Sequence, residues 1–159
     1  MRHSEGMFEL WSHPKVCEYS GSAEDFDGNS IQLPAETATD SDKIIDFFLQ
    51  FQQRSEKVRW AMITKSDSKF IGALGFNSLG VCSELAYHLH PDYWGNGYMN
   101  EACRTVNLWA KLTLGSETLQ AFIDARNTGS IKLILALGFR PTGEIREGAE
   151  HYVLSTFDS

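Results

Sequence analysis

The stretch Glu84-Leu85-Ala86-Tyr87-His88-Leu89-His90-Pro91-Asp92-Tyr93-Trp94-Gly95-Asn96-Gly97-Tyr98-Met99-Asn100-Glu101-Ala102 decides how the chain is read. Glu84 to Leu89 alternates polar and apolar residues and is stopped by Pro91-Asp92, the pattern of a strand. From Met99 to Lys111, Ala102, Val106, Trp109 and Ala110 return at helical spacing, which predicts a helix. Gly95 and Gly97 therefore fall in a strand-to-helix turn. Glycine lets backbone approach a ligand closely, and the first helical turn offers unpaired N–H groups at the positive end of the dipole. The turn reads as a phosphate cradle, although a Gly-x-Gly pair is equally the composition of an ordinary turn. A dinucleotide fingerprint would need a third glycine where Asn100 stands, and no Gly-Lys-Ser/Thr sequence supplies a nucleotide P-loop.

Outward from this turn the elements follow the same rules. Downstream, Thr118 to Asp124 reads as a buried strand, leading to Asn127-Thr128-Gly129-Ser130 and then Leu137-Gly138-Phe139. Phe139 to Arg146 and His151 to Phe157 form a predicted hairpin around Glu147-Gly148-Ala149-Glu150. Upstream, Val58 to Thr64 and Lys69 to Phe76 form another around Lys65-Ser66-Asp67-Ser68. Asp40 to Lys57 is an amphipathic helix carrying Ile44, Ile45, Phe47, Phe48 and Phe51, and Phe8 to Tyr19 is a helix interrupted near Pro14. No repeat or low-complexity linker divides the chain, so residues 1–159 read as one α/β domain.

Composition sets limits on function. At 159 residues and 42% hydrophobic content the chain can bury one sizeable core. No apolar run reaches spanning length, and the N-terminus lacks a basic-then-apolar leader, which places the expected location in the cytoplasm and away from membranes. Cys17, Cys82 and Cys103 have neither disulfide nor zinc-ligand spacing, so reduced thiols and no metal are expected. A net charge of −7 argues against a nucleic-acid surface, which needs clustered Lys and Arg. Val16 to Asp42 holds seven acids (Glu18, Glu24, Asp25, Asp27, Glu36, Asp40, Asp42) and no Lys or Arg, either a solvated loop or an acidic rim.

Taken together the motifs resemble the GNAT superfamily of N-acetyltransferases, and within it the branch acting on ribosomal-protein N-termini. The family's pyrophosphate motif, Arg/Gln-x-x-Gly-x-Gly/Ala, falls on Trp94, Gly95, Asn96, Gly97, Tyr98 and Met99, with Trp in first place as in that branch. The branch's Asn-x-x-Ser and Leu-Gly-Phe match Asn127, Ser130, Leu137, Gly138 and Phe139, and Phe70 to Phe76 resembles its third strand. The resemblance implies a mixed, mostly antiparallel twisted sheet with splayed central strands and flanking helices, and acetyl-CoA as co-substrate. Met99 stands where the branch has a small residue, and a long side chain there is expected to crowd the pyrophosphate. The family's opening strand has no counterpart before Phe8, so either the start is truncated or this member has lost its first strand, which is expected to be missing. Its loss would bare the edge at Val58 to Thr64 and favour a homodimer.

The resemblance also implies roles. Leu85, Ala86 and Tyr87 pair with the pantetheine arm and lend a backbone N–H to the oxyanion, and Asn127 bonds the arm or acceptor, though helix capping alone would account for it. Aminolysis of a thioester needs a neutral amine, oxyanion donors and a proton for the thiolate. Glu84 is the candidate base acting through water, against the alternative of a surface strand residue. Ser130 is the candidate acid, against a hydroxyl making only local bonds, because Ile134 occupies the place where many relatives carry a Tyr. His88 and His90 flank the strand end as a relay or as ordinary surface residues, and Glu101 supports the helix dipole. An α-amine with pKa near about 8 is easier to deprotonate than a lysine near about 10.4. The implied activity is acetyl transfer to a primary amine, a peptide N-terminus or small cationic amine, in a ternary complex. The competing reading is a catalytically weak or inactive GNAT-like binding module.

Overall fold

The structure is a computed structural model that describes residues 2–157. Helix α1 (Ser4–Trp11) buries Met7, Leu10 and Trp11 along one stripe, and the chain breaks at His13, whose extended backbone precedes Pro14 at the start of α2 (Pro14–Cys17). Within the acidic segment a small hairpin forms that was not expected, β1 (Ala23–Glu24) against β2 (Ser30–Ile31). The Asp25 carboxylate accepts the Asp27 and Asn29 N–H groups at 3.0 and 2.8 Å and ties its turn.

Helix α3 (Ala38–Gln53) starts two residues before the expected Asp40, because Thr37 and Asp40 close a capping box. It stops short of Lys57 where Ser55 turns to φ 57°. Strands β3 (Val58–Ile63), β4 (Phe70–Ser78) and β5 (Cys82–Leu89) form an antiparallel meander. A 3-10 turn (Pro91–Tyr93) leads to α4 (Tyr98–Trp109), extended by a π turn over Ala110–Leu114. The chain closes with β6 (Thr118–Asp124), α5 (Thr128–Ala136), β7 (Arg140–Arg146) and β8 (Ala149–Ser155). The last hairpin turns in two residues, Glu147 and Gly148 at φ 51° and 81°, so β8 begins at Ala149 instead of His151.

The main sheet has the order β3-β4-β5-β6-β8-β7, and its one parallel contact is β5 with β6. That pairing covers only Cys82–Glu84 against Thr118–Gln120. Past Glu84, β5 stays bonded to β4 and β6 stays bonded to β8, so the two strands part and leave a cleft in mid-sheet. This is the expected splay.

Two cores flank the sheet. One face packs Leu74, Phe76 and Leu85 with Met99 and Cys103 of α4 and Ile134 of α5; the other packs Ala73 with Met7, Leu10 and Trp11 of α1 and Ile44 of α3. Strand alternation sends Leu85 and Tyr87 to the first face and Ala86 and His88 to the second. Strand β3 lies at a sheet edge with no further strand beside it among the described residues. The cysteines are free; burial pushes the Cys103 thiol up to about 12. No helix among the described residues is long and apolar enough to cross a membrane, and no group of three metal-capable side chains occurs among them.

Candidate active site

The turn that carries β5 into α4 is built from its glycines. Gly95 and Gly97 stand at φ 75° and 78°, a region costly for other residues, and open space surrounds the position a Cβ would take at each. Gly97 is also the N-cap of α4 and supplies no capping side chain. The first helical backbone bond comes from the Glu101 N–H to the Gly97 carbonyl at 3.1 Å, so the N–H groups of Tyr98, Met99 and Asn100 precede any intrahelical partner. The Trp94 indole N–H donates to the Leu89 carbonyl at 2.8 Å and the Asn96 amide to the Trp94 carbonyl at 3.0 Å, fastening the loop to the end of β5. An array of free N–H groups at a dipole's positive end fits a pyrophosphate.

Met99 departs from expectation. Its side chain is 6% exposed and belongs to the core with Cys103 and Leu85. Helical geometry turns it inward, so it contributes its backbone N–H to the turn and its thioether to the core.

Glu84 occupies the last rung before the strands part, opposite Ser78 of β4 and Gln120 of β6. Leu85, Ala86 and Tyr87 lie along the cleft itself. A bulge at Asn77, between the Phe76–Leu85 and Ser78–Glu84 pairs, bends β4 at this point. The Ala86 carbonyl accepts a hydrogen bond from Arg59 Nη1 at 2.9 Å, reaching across from β3.

Across the cleft, Asn127 caps α5, its side-chain oxygen accepting the Ser130 N–H at 3.2 Å. Capping therefore accounts for Asn127 locally and leaves its amide nitrogen for a ligand. The Ser130 hydroxyl meets the Tyr87 phenol at 2.6 Å. Burial holds the Tyr87 hydroxyl protonated well above its ordinary range. Tyr87, read from sequence for its backbone alone, thus brings a phenol to the helix start, whereas Ile134 is wholly buried. The period-two alternation that turns Leu85 inward also turns Tyr87 to that face, a signal legible in the sequence.

His88 goes to the opposite face. Its ring centroid lies 4.3 Å from that of Trp11 and its Nε2 3.3 Å from Ser20 Oγ. Burial, with the nearby Arg59 charge, pushes its pKa down to about 3, which holds the ring neutral near neutral pH. His90 caps the 3-10 turn, Nδ1 accepting the Asp92 N–H at 3.2 Å, and Glu101 sits exposed in the first turn of α4. Four carboxylates, Asp25, Asp27, Asp42 and Asp46, line a groove of about 530 Å³ between the β1–β2 loop and α3. None of the candidate catalytic residues lines it.

The comparisons with known proteins agree with this architecture. The family model described as an acetyltransferase (GNAT) domain matches residues 2–140. The uncharacterized N-acetyltransferase YoaA of Bacillus subtilis strain 168 is 24% identical over 147 residues, 91% of this chain and 77% of its own length. Among solved structures, the spermidine N-acetyltransferase of Vibrio cholerae, in complex with CoA and spermine, superposes with a TM-score of 0.76 at 11% identity, covering 98% of this chain and 91% of that one. The ribosomal-protein-S5-alanine acetyltransferase of Vibrio fischeri gives a TM-score of 0.69 at 15% identity, covering 94% and 86%. With the family match spanning the glycine turn, the splayed strand and the start of α5, the chain belongs to the GNAT family and is an acetyltransferase.

Proposed function

We propose that the protein transfers an acetyl group from acetyl-CoA to a primary amine, a peptide α-amine or a small amine, by direct attack in a ternary complex. The observation that carries this reading is the parting of β5 and β6 just past Glu84, with the Tyr87–Ser130 hydroxyl pair beside the opening. The N–H groups at Gly97–Asn100 bind the pyrophosphate, and the unpaired edge of β5 at Leu85–Tyr87 holds the pantetheine arm and donates to the oxyanion. Glu84, acting through water, takes the proton of the acceptor ammonium. The neutral amine then forms a C–N bond to the acetyl carbonyl carbon, and as the adduct collapses the C–S bond breaks, the Ser130 hydroxyl protonates the departing thiolate, and the proton shed by the new amide nitrogen returns to Ser130 through its hydrogen-bonded partner Tyr87.

Both structural neighbours named above share this fold yet act on different acceptors, a protein and a polyamine, so the fold does not choose the amine. The acidic segment before α3 supports an acceptor that arrives as a cation. Burial of Met99 removes one reason for the binding-module alternative. A cytoplasmic location and pairing of two copies through the open edge of β3 belong to the same proposal, the latter checked by light-scattering mass at micromolar concentration. The central test is calorimetric titration of acetyl-CoA into the purified chain, then assay of amines and N-terminal peptides. Micromolar binding and turnover are expected; a folded sample that binds no acetyl-CoA overturns the proposal.

A further inference from the structure

Two hydrogen bonds at the ends of β5 fix which of its backbone groups face the cleft. The His90 N–H donates to the Ile71 carbonyl at 2.8 Å, so the even-numbered residues of this strand turn their N–H and C=O groups toward β4. At the other end the Val81 carbonyl accepts the Thr118 N–H at 3.1 Å, so the odd-numbered residues turn theirs toward β6. Each residue from Glu84 to Leu89 has its own partner in β4, and the register shift lies in β4 at Asn77, so the alternation along β5 is unbroken. Past Glu84, where β6 has parted, the N–H groups of Leu85, Tyr87 and Leu89 therefore face the cleft.

Arg59 singles out one of the three. Arg59, Gly75 and Ala86 stand on one rung across β3, β4 and β5. Gly75 has no side chain to obstruct that rung, and Arg59 reaches across it to donate from Nη1 to the Ala86 carbonyl at 2.9 Å. This carbonyl is the β4-facing end of the peptide whose other end is the Tyr87 N–H, and a trans peptide points the two in opposite directions. Nη2 of the same guanidinium donates to Asn77 Oδ1 in the β4 bulge at 2.6 Å, and the group lies 4.3 Å from the Phe48 ring centroid.

A buried guanidinium is costly to hold. Burial lowers the Arg59 pKa only to about 10, so the group stays charged near neutral pH, with Glu84 favouring the charged form. Its Nε nonetheless has no partner, and among the described residues no carboxylate stands at ion-pair distance from it. An apolar side chain would hold three strands together at lower cost. What a cation on a peptide oxygen adds is polarisation: it draws electron density toward the oxygen and makes the N–H at the far end a stronger donor.

Resting on the acetyltransfer reading above, we infer that the Tyr87 N–H is the donor that holds the thioester oxygen, and that Arg59 is a positioning residue that strengthens this donor through the Ala86–Tyr87 peptide. As the amine attacks, the carbonyl π pair moves onto that oxygen, and it returns when the C–S bond breaks; the polarised N–H holds the charge in between. Tyr87 then serves both ends of the reacting bond, its N–H at the oxygen and its phenol, through Ser130, at the sulfur.

The test reads donor strength directly, from the infrared carbonyl stretch of acetyl-CoA, isotope-labelled at the acetyl carbonyl and bound without acceptor. Arg59→Met removes the charge at similar length and is expected to move the band to higher frequency. The same variant should lower kcat by about tenfold, less than the 10²–10³ that follows outright loss of an oxyanion donor, with the KM for acetyl-CoA nearly unchanged. Arg59→Lys keeps a cation and should fall between it and the native chain in both band and kcat. A band that stays in place in folded Arg59→Met, whether or not kcat falls, reduces Arg59 to a structural staple and overturns the inference.

Should Arg59→Met fail to fold, amide NMR of the native chain decides. Acetyl-CoA, compared with CoA, is expected to move the Tyr87 amide proton downfield further than those of Leu85 and Leu89. A larger shift at either neighbour overturns the assignment. The glycine turn separates the two readings: amides of Gly97–Asn100 that move while Tyr87 does not overturn the Tyr87 assignment and leave acetyl transfer standing, whereas a spectrum in which neither moves overturns both.

Discussion

The Tyr87 hydroxyl, carried by β5, lies 2.6 Å from the Ser130 hydroxyl at the start of α5, so a strand and a helix on opposite sides of the cleft are joined through this hydroxyl pair. Neither residue alone would be a compelling proton donor. Together they place a neutral phenol behind an accessible serine.

Ser130→Ala is expected to lower kcat by about 10²-fold, the ordinary scale of general acid catalysis, with acetyl-CoA affinity nearly unchanged. Tyr87→Phe should lower it less, and the double variant should be no worse than Ser130→Ala, because one hydrogen-bonded unit is being removed. Additive losses in a double-variant cycle would show that the two hydroxyls act separately.

Glu84 stands at the last rung before β5 and β6 part. Glu84→Gln is expected to displace the acidic limb of the kcat/KM profile with the fold intact. A limb that stays in place assigns deprotonation of the amine to solvent.

Met99 is a core side chain on α4, 6% exposed. Met99→Ala should therefore destabilise the protein by about 2–4 kcal/mol in urea unfolding and produce no gain in acetyl-CoA affinity. A gain in affinity at unchanged stability would return Met99 to the cradle as an obstruction.

Burial, with the nearby Arg59 charge, pushes the His88 imidazole down to about 3 in the folded chain, below its ordinary value near 6.5. The unfolded chain binds a proton there first. This contribution to stability is complete above pH 6.5 and is lost as pH falls toward 3, on the order of 1 kcal/mol per pH unit. Urea midpoints at pH 7 and pH 5 should differ for the native chain and differ less for His88→Gln. An equal slope in both would place the acid sensitivity elsewhere.

Periodicity and turn chemistry determined most of the elements. Alternation identified β5, strand runs bounded by turn residues identified β6 and the two hairpins, and the helical recurrence of Ala102, Val106 and Trp109 identified α4, because one buried face imposes a fixed spacing on its side chains. The positive φ of Gly95 and Gly97 was likewise implicit in their residue type. Boundaries shifted where local bonds outweighed hydrophobic spacing, as at the Thr37–Asp40 capping box and the Asp25-tied hairpin.

What the sequence could not determine depends on strands far apart along the chain. That β5 pairs with β6 for only three rungs is a matter of sheet geometry, and it alone opens the cleft. Whether Met99 faced ligand or core depended on how α4 rotates against the sheet. Arg59 looked like any charged residue in an edge strand until β4 and β5 carried the Ala86 carbonyl and the Asn77 amide within its reach. Composition and periodicity fix which face of an element is buried; only tertiary packing fixes which polar atoms meet there, because hydrogen bonds depend on ångström distances between residues that local sequence does not relate.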